Sequence, residues 1–205
     1  ISSDVWVHTI DPTSGALNKS AAFVASAGSH WVDVDKQSRF AYVANSISNN
    51  ISGFAINANT GGLIAVPGSP FPAGISPHSV VVSPDGRLAY ASNMFSANIS
   101  AYAINQTTGS LTEVTGSPFP AGAGNHGFNI SFDTTGRYLY IPNLSAGTVL
   151  GFAVNAITGA LTPVPGSPFL AGPAPTAIAV HPSGQYLYVS ESNGGTAVHG
   201  FKIDG

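Results

Sequence analysis

Residues 68–93 read GSPFPAGISPHSVVVSPDGRLAYASN, and the chain repeats this stretch with small changes. The copies are GSPFPAGAGNHGFNISFDTTGRYLYIPN from Gly116, GSPFLAGPAPTAIAVHPSGQYLYVSE from Gly166, and a worn AAFVASAGSHWVDVDKQSRFAYVAN from Ala21. Three series of residues keep one phase. They are the loop phenylalanines Phe23, Phe71, Phe119 and Phe169, the tyrosines Tyr42, Tyr90, Tyr140 and Tyr188, and the leucines Leu17, Leu63, Leu111 and Leu161 after glycine turns. Each series steps by 46 to 50 residues, a period in the range of propeller blades.

Within one unit the alternation is that of strands, and no stretch has the length and period of an amphipathic helix. Counting from Pro77, a first strand is expected over 79–83, a turn at Pro84-Asp85-Gly86, and a second strand over 88–92 that ends at Asn93. A third follows over 99–105, and a fourth over 111–114 leads into the next GSPF loop. Proline presets φ for the tight reversal and glycine tolerates the positive φ it can demand. The expected fold is all-β: a β-propeller of four-stranded antiparallel blades, about four repeats, with an extra third-strand copy at the termini. Residues 1–205 form a single propeller or propeller fragment, with blades near 21–67, 68–115, 116–165, and 166–205 plus 1–20.

The innermost strands carry large residues at Val32 and Val34, Val80 and Val82, Phe128 and Ile130, and Ile178 and Val180. Their alternate neighbours, such as Ser79, Gly127, Asn129, Ala177 and Ala179, are small or polar. Such a pattern suits blades packed face to face around an axis. Trp31 breaks it.

Both ends of the chain match the third strand, since residues 1–11 align with 47–57 and the closing TAVHGFKID has the same phase. One strand is therefore spare, and an unpaired edge is a template for adding another chain. Self-association through edge strands is expected, either closing or growing head to tail into a filament. The chain opens on Ile1 rather than Met, which points to a processed or incomplete product.

Only 7% of residues are charged, against about 25% in ordinary soluble domains. A formal net charge of −3 with six Lys plus Arg gives no basic stripe for a phosphate backbone, so nucleic acid is not an expected partner. Cysteine is absent, which removes disulfides and thiolate metal sites. No apolar run approaches the roughly 18 residues of a membrane span.

The pattern PHSVVVSPDGRLAYASN, followed by ISAYAIN and the turn TTGSL, resembles the YVTN-type repeat of the lactonase-like β-propellers. That group includes 6-phosphogluconolactonase and muconate-cycloisomerising enzymes, and the resemblance covers essentially the whole chain. It implies a propeller that in its enzymes usually has seven blades, with any site near the central channel. It also implies catalysis in which Arg or acidic residues join His.

Channel-mouth candidates follow from phase. His30, His78 and His126 share one repeat position, which Thr176 fills in the fourth unit. Imidazoles at a channel mouth could bind a metal or an anion or act as a base, or simply cap strand ends. Glu191 joins them because it replaces the asparagine found at Asn45, Asn93 and Asn143, and Asp33 stands out within an innermost strand. Arg39, Arg87 and Arg137 repeat at a hairpin turn and read as structural. His181 is expected to be exposed, and His8 and His199 to lie on third strands far from the channel. No nucleophile elbow, phosphate loop or metal motif occurs, and neither a metal nor a cofactor is expected.

Sequons at Asn18, Asn50, Asn98 and Asn105 read as accessible glycosylation candidates; those at Asn129 and Asn143 read as buried or structural. With charge scarce, sugars would explain solubility and would make the protein extracellular. The leading expectation is therefore an extracellular structural or interaction module, leaning against an enzyme. A lactone hydrolase or isomerase is the alternative, and small-molecule or carbohydrate binding at the channel mouth a second.

Overall fold

The computed structural model describes residues 3–122, 129–192 and 197–203. Strands β1 (Asp4–Ile10) and β2 (Leu17–Val24) form a two-stranded antiparallel sheet. The first full blade is β3 (Ser29–Val34), β4 (Phe40–Asn45), β5 (Asn50–Ile56) and β6 (Leu63–Ala65), with the short β7 (Phe71–Pro72) also on β5. The second is β8 (Pro77–Val82), β9 (Leu88–Asn93), β10 (Asn98–Ile104) and β11 (Leu111–Glu113), with β12 (Phe119–Pro120) on β10. The third is β13 (Ser131–Phe132), β14 (Tyr138–Asn143), β15 (Thr148–Val154) and β16 (Leu161–Pro163), with β17 (Phe169–Leu170) on β15. A three-stranded sheet of β18 (Pro175–Val180), β19 (Tyr186–Glu191) and β20 (Val198–Lys202) follows. Every pairing is antiparallel, and no helix occurs among the described residues. The fold is the all-β propeller architecture that the repeats predict.

The recurring residues hold the blades in three ways. First, a polar side chain at the start of the inner hairpin turn accepts the amide that closes it. Asp35 takes Phe40 N at 2.9 Å, Ser83 takes Leu88 N at 3.0 Å, and Asp133 takes Tyr138 N at 2.8 Å. Second, the serine of each GSPF loop accepts a third-strand amide: Ser69 from Gly53, Ser117 from Ala101 and Ser167 from Gly151. Third, the tyrosines pin neighbouring blades. Tyr42 donates its hydroxyl to Gly109 O and Tyr90 to Gly159 O, both at 2.8 Å, so each blade grips a turn of the next. At Gly109, with φ of 75°, an added Cβ would overlap the Phe40 ring; the turn needs glycine for both conformation and space.

Arg39 is more than a solvated turn residue. It is ion-paired with the buried Asp35 at 2.9 Å and reaches the next blade at Gln106 O, 3.1 Å away. A cavity of about 640 Å³ lies between the third blade and the last sheet, lined by Tyr138, Tyr140, Phe169, Leu187 and Phe201. Between the earlier blades the turns containing Gly109 and Gly159 fill the corresponding joint. The cavity is an interblade joint.

Candidate functional site

Inner strands β3, β8 and β18 each begin with a β-bulge. Pairing runs from Ser29↔Asn45 to Trp31↔Ala44, from Pro77↔Asn93 to Ser79↔Ser92, and from Pro175↔Glu191 to Ala177↔Ser190. His30, His78 and Thr176 are the extra residues in these steps. A bulge breaks the in-out alternation and re-aims the side chain it carries, which is why one rim collects all three. Glu191 lies at the same rim, opposite Pro175.

The imidazoles of His30 and His78 pack with centroids 4.3 Å apart and planes tilted by 30°. His30 Nδ1 lies 3.2 Å from His78 O. A carbonyl can only accept, so this nitrogen carries the proton, and the neutral ring has its lone pair on Nε2. Burial, and then the neighbouring His30, push the His78 pKa down to about 4. His78 is therefore a neutral imidazole near pH 7. Thr176 is buried, and its hydroxyl turns to Ser190 O at 3.5 Å.

Further along the inner strands, side chains of one blade tie the backbone of the next. Ser79 Oγ accepts Ile130 N at 3.4 Å, while Asn129 accepts Ile178 N at 2.7 Å and donates to Ile178 O at 2.8 Å. In the first blade Trp31 occupies the phase of Ser79 and offers no acceptor there. Asp33, two residues on, takes Val82 N at 2.8 Å instead. Burial raises the Asp33 pKa, against the two backbone hydrogen bonds that lower it. Asp33 belongs to this interblade stitching.

His126 lies outside the described residues. Beyond it, Ser131 pairs with Tyr140 as Val81 pairs with Tyr90. Ile130 and Phe132 therefore stand at the positions of Val80 and Val82. Between Phe119 and Tyr140 the third unit has two more residues than the second, so a count from the loop misplaces the strand.

Two expectations about accessibility also change. Asn50 and Asn98 are not loop residues; they open β5 and β10, half-buried, with their amides engaged. Asn98 Oδ1 accepts from Asn93 at 2.8 Å, and Asn50 Oδ1 lies 2.9 Å from the Asn45 amide. Asn105 is exposed but caps its own turn through Thr107 N and Thr108 N, and Asn18 is exposed on β2.

His199 is not isolated from the rim. Its Nε2 is 2.6 Å from Glu191 Oε1, a contact between second and third strands that sequence reasoning missed. Among the described residues no three His, Asp or Glu side chains converge as a metal-ligand group.

The family model for Lactonase, 7-bladed beta-propeller matches residues 2–125. No curated protein matches the chain. Among solved structures, a proposed 6-phosphogluconolactonase from Bacteroides uniformis is similar, with a TM-score of 0.85 and 19% identity over 98% of this chain and 61% of that one. A proposed 6-phosphogluconolactonase from Bacteroides fragilis gives 0.81 and 25%, over 98% and 61%. The periplasmic gluconolactonase of Pseudomonas aeruginosa gives 0.82 and 19%, over 98% and 60%. The chain thus spans about three-fifths of the length of these structures. These matches overturn the leading expectation of a structural or interaction module. They favour the lactone-directed alternative.

Proposed function

Because this chain belongs to the lactonase family of seven-bladed β-propellers, we propose that it contributes to hydrolysis of a sugar lactone at the channel mouth. The observation that carries this reading is the His30–His78 pair, which bulges bring together on one rim with the His30 tautomer fixed. In the reaction a water oxygen adds to the lactone carbonyl carbon while His30 Nε2 takes the water proton. The tetrahedral intermediate then expels the ring oxygen, the C–O bond breaks, and the product is a hydroxy acid. His78, kept neutral beside it, adds no second positive charge to oppose protonation of His30.

The test is turnover of sugar δ-lactones, followed by acid release. His30→Ala is expected to lower kcat/KM by roughly 10²- to 10⁴-fold, the usual contribution of a general base. His181→Ala, at a hairpin turn of the last sheet, is expected to leave it unchanged. Equal activity of wild type and His30→Ala would remove the proposal.

A further inference from the structure

The first two blades carry a repeated polar pair at the rim, between the end of the second strand and the third. Asn45 lies 3.0 Å from Ser52 Oγ, and Asn93 Nδ2 donates to Ser100 Oγ at 2.9 Å. In the last sheet both members change together. Glu191 takes the asparagine's place, since it faces Pro175 as Asn45 faces Ser29 and Asn93 faces Pro77. His199 takes the serine's place, pairing with Val189 as Ser52 pairs with Val43 and Ser100 with Ala91. The third blade has Asn143 with Leu150 in those two places. An amide and a hydroxyl can only hold structure, whereas a carboxylate and an imidazole can also hold and move a proton.

The pair is asymmetric. The Glu191 side chain is 4% exposed and that of His199 35%. Nε2 of the imidazole faces Glu191 Oε1, while Oε2 accepts Ala197 N at 3.3 Å. With Nε2 donating to the carboxylate, proton exchange with anything outside the pair falls to Nδ1. Gly172, with φ of 73°, closes against the dyad so tightly that a Cβ there would overlap both Glu191 Oε1 and His199 Nε2. The matching Gly74 closes on the Asn93 amide in the same way, whereas Gly122 would meet only a Leu150 methyl, at 3.7 Å. A buried carboxylate fixing the tautomer of a more exposed imidazole is the working arrangement of acid–base dyads.

We propose that His199 is a proton-transfer residue of the lactone-hydrolysing protein, with Glu191 as its positioning residue. This rests on the lactone reading above. Hydrolysis moves two protons, one off the attacking water and one onto the departing ring oxygen. His199 Nδ1–H supplies the second, Glu191 balances the imidazolium beforehand, and the ring is reprotonated from solvent afterwards.

The repeat provides its own control. The double variant Glu191→Asn with His199→Ser rebuilds the pair of the first two blades, so it is expected to fold with a melting temperature close to wild type. Its kcat should nevertheless fall roughly 10²-fold or more, the contribution of a positioned acid, with KM changed far less. Nitrogen NMR of wild type should show both His199 nitrogens protonated, with Nε2–H held by the carboxylate, and Glu191→Asn should leave a neutral ring in a mixture of tautomers. A double variant that keeps wild-type kcat, or a His199 indifferent to Glu191, overturns the proposal. If wild type turns over no lactone, the lactone reading and the proton-transfer role fall together. The tautomer measurement then separately decides whether Glu191 orients His199.

Discussion

The second blade and the last sheet are built from nearly the same words, yet they live in different surroundings. Every residue of β9 is buried, and Tyr90 is 0% exposed with its hydroxyl on Gly159 O. In β19 exposed and buried residues alternate, and Tyr188, the counterpart of Tyr90, is 42% exposed. At the rim the second blade has Asn93 with Ser100, and the last sheet has Glu191 with His199. Burial of a repeat residue is thus set by the neighbouring blade, while chemistry is set by where the repeat is broken.

The largest expected contrast lies in the tyrosines. Tyr90→Ala empties a fully buried site and should cost about 3–5 kcal/mol, whereas Tyr188→Ala should cost well under half of that. Denaturant melts of the two variants check this, and equal losses would mean that the last sheet is covered as the second blade is.

Next come the paired glycines. Gly122 and Gly172 both have positive φ, at 79° and 73°, so alanine strains the backbone equally in each. Only at Gly172 does the new methyl strike the dyad. Gly172→Ala should therefore exceed Gly122→Ala by about 1–3 kcal/mol and should alter the His199 resonances, which Gly122→Ala should leave alone.

Tyr90→Phe removes one buried hydrogen bond and strands the Gly159 carbonyl. The expected cost is about 1–2 kcal/mol, measurable by the same melts.

The last expected effect is a pH slope. His78 titrates at about 4 in the fold, against 6.5 for an unperturbed histidine. Between those values the unfolded chain binds a proton that the folded chain does not. Stability should therefore fall as the pH drops through this window, with no further loss from His78 below pH 4. His78→Gln should flatten that part of the profile.

How much of this was legible in the sequence depended on whether a residue follows the repeat. Phe71, Tyr90 and the GSPF serines keep phase, because each blade needs the same joint, pin and third-strand acceptor. The propeller was therefore readable from them. The third unit was not, since two additional residues between Phe119 and Tyr140 shift the strand against the loop, and Ile130, expected at the phase of Val82, stands at that of Val80. The bulge that re-aims His30 and His78 leaves no mark in the alternation of apolar residues. The Glu191–His199 contact was hidden because its partners sit on different strands. Its signal was present all the same, as two departures from the repeat at positions that touch in the first two blades. Asn50 and Asn98 read as accessible because a sequon says nothing of its partners, and here their side chains are engaged at the rim.

The central claim is that function sits on the rim of bulged inner strands and in the broken repeat of the last sheet. Histidine NMR of the isotopically labelled protein, with a slowly hydrolysed sugar lactone added, tests this most directly. The ring signals of His30, His78 and His199 are expected to shift together, while those of His8 on β1 and His181 at the hairpin turn stay fixed. Shifts confined to His8 and His181, or none at all at saturating lactone, would contradict it.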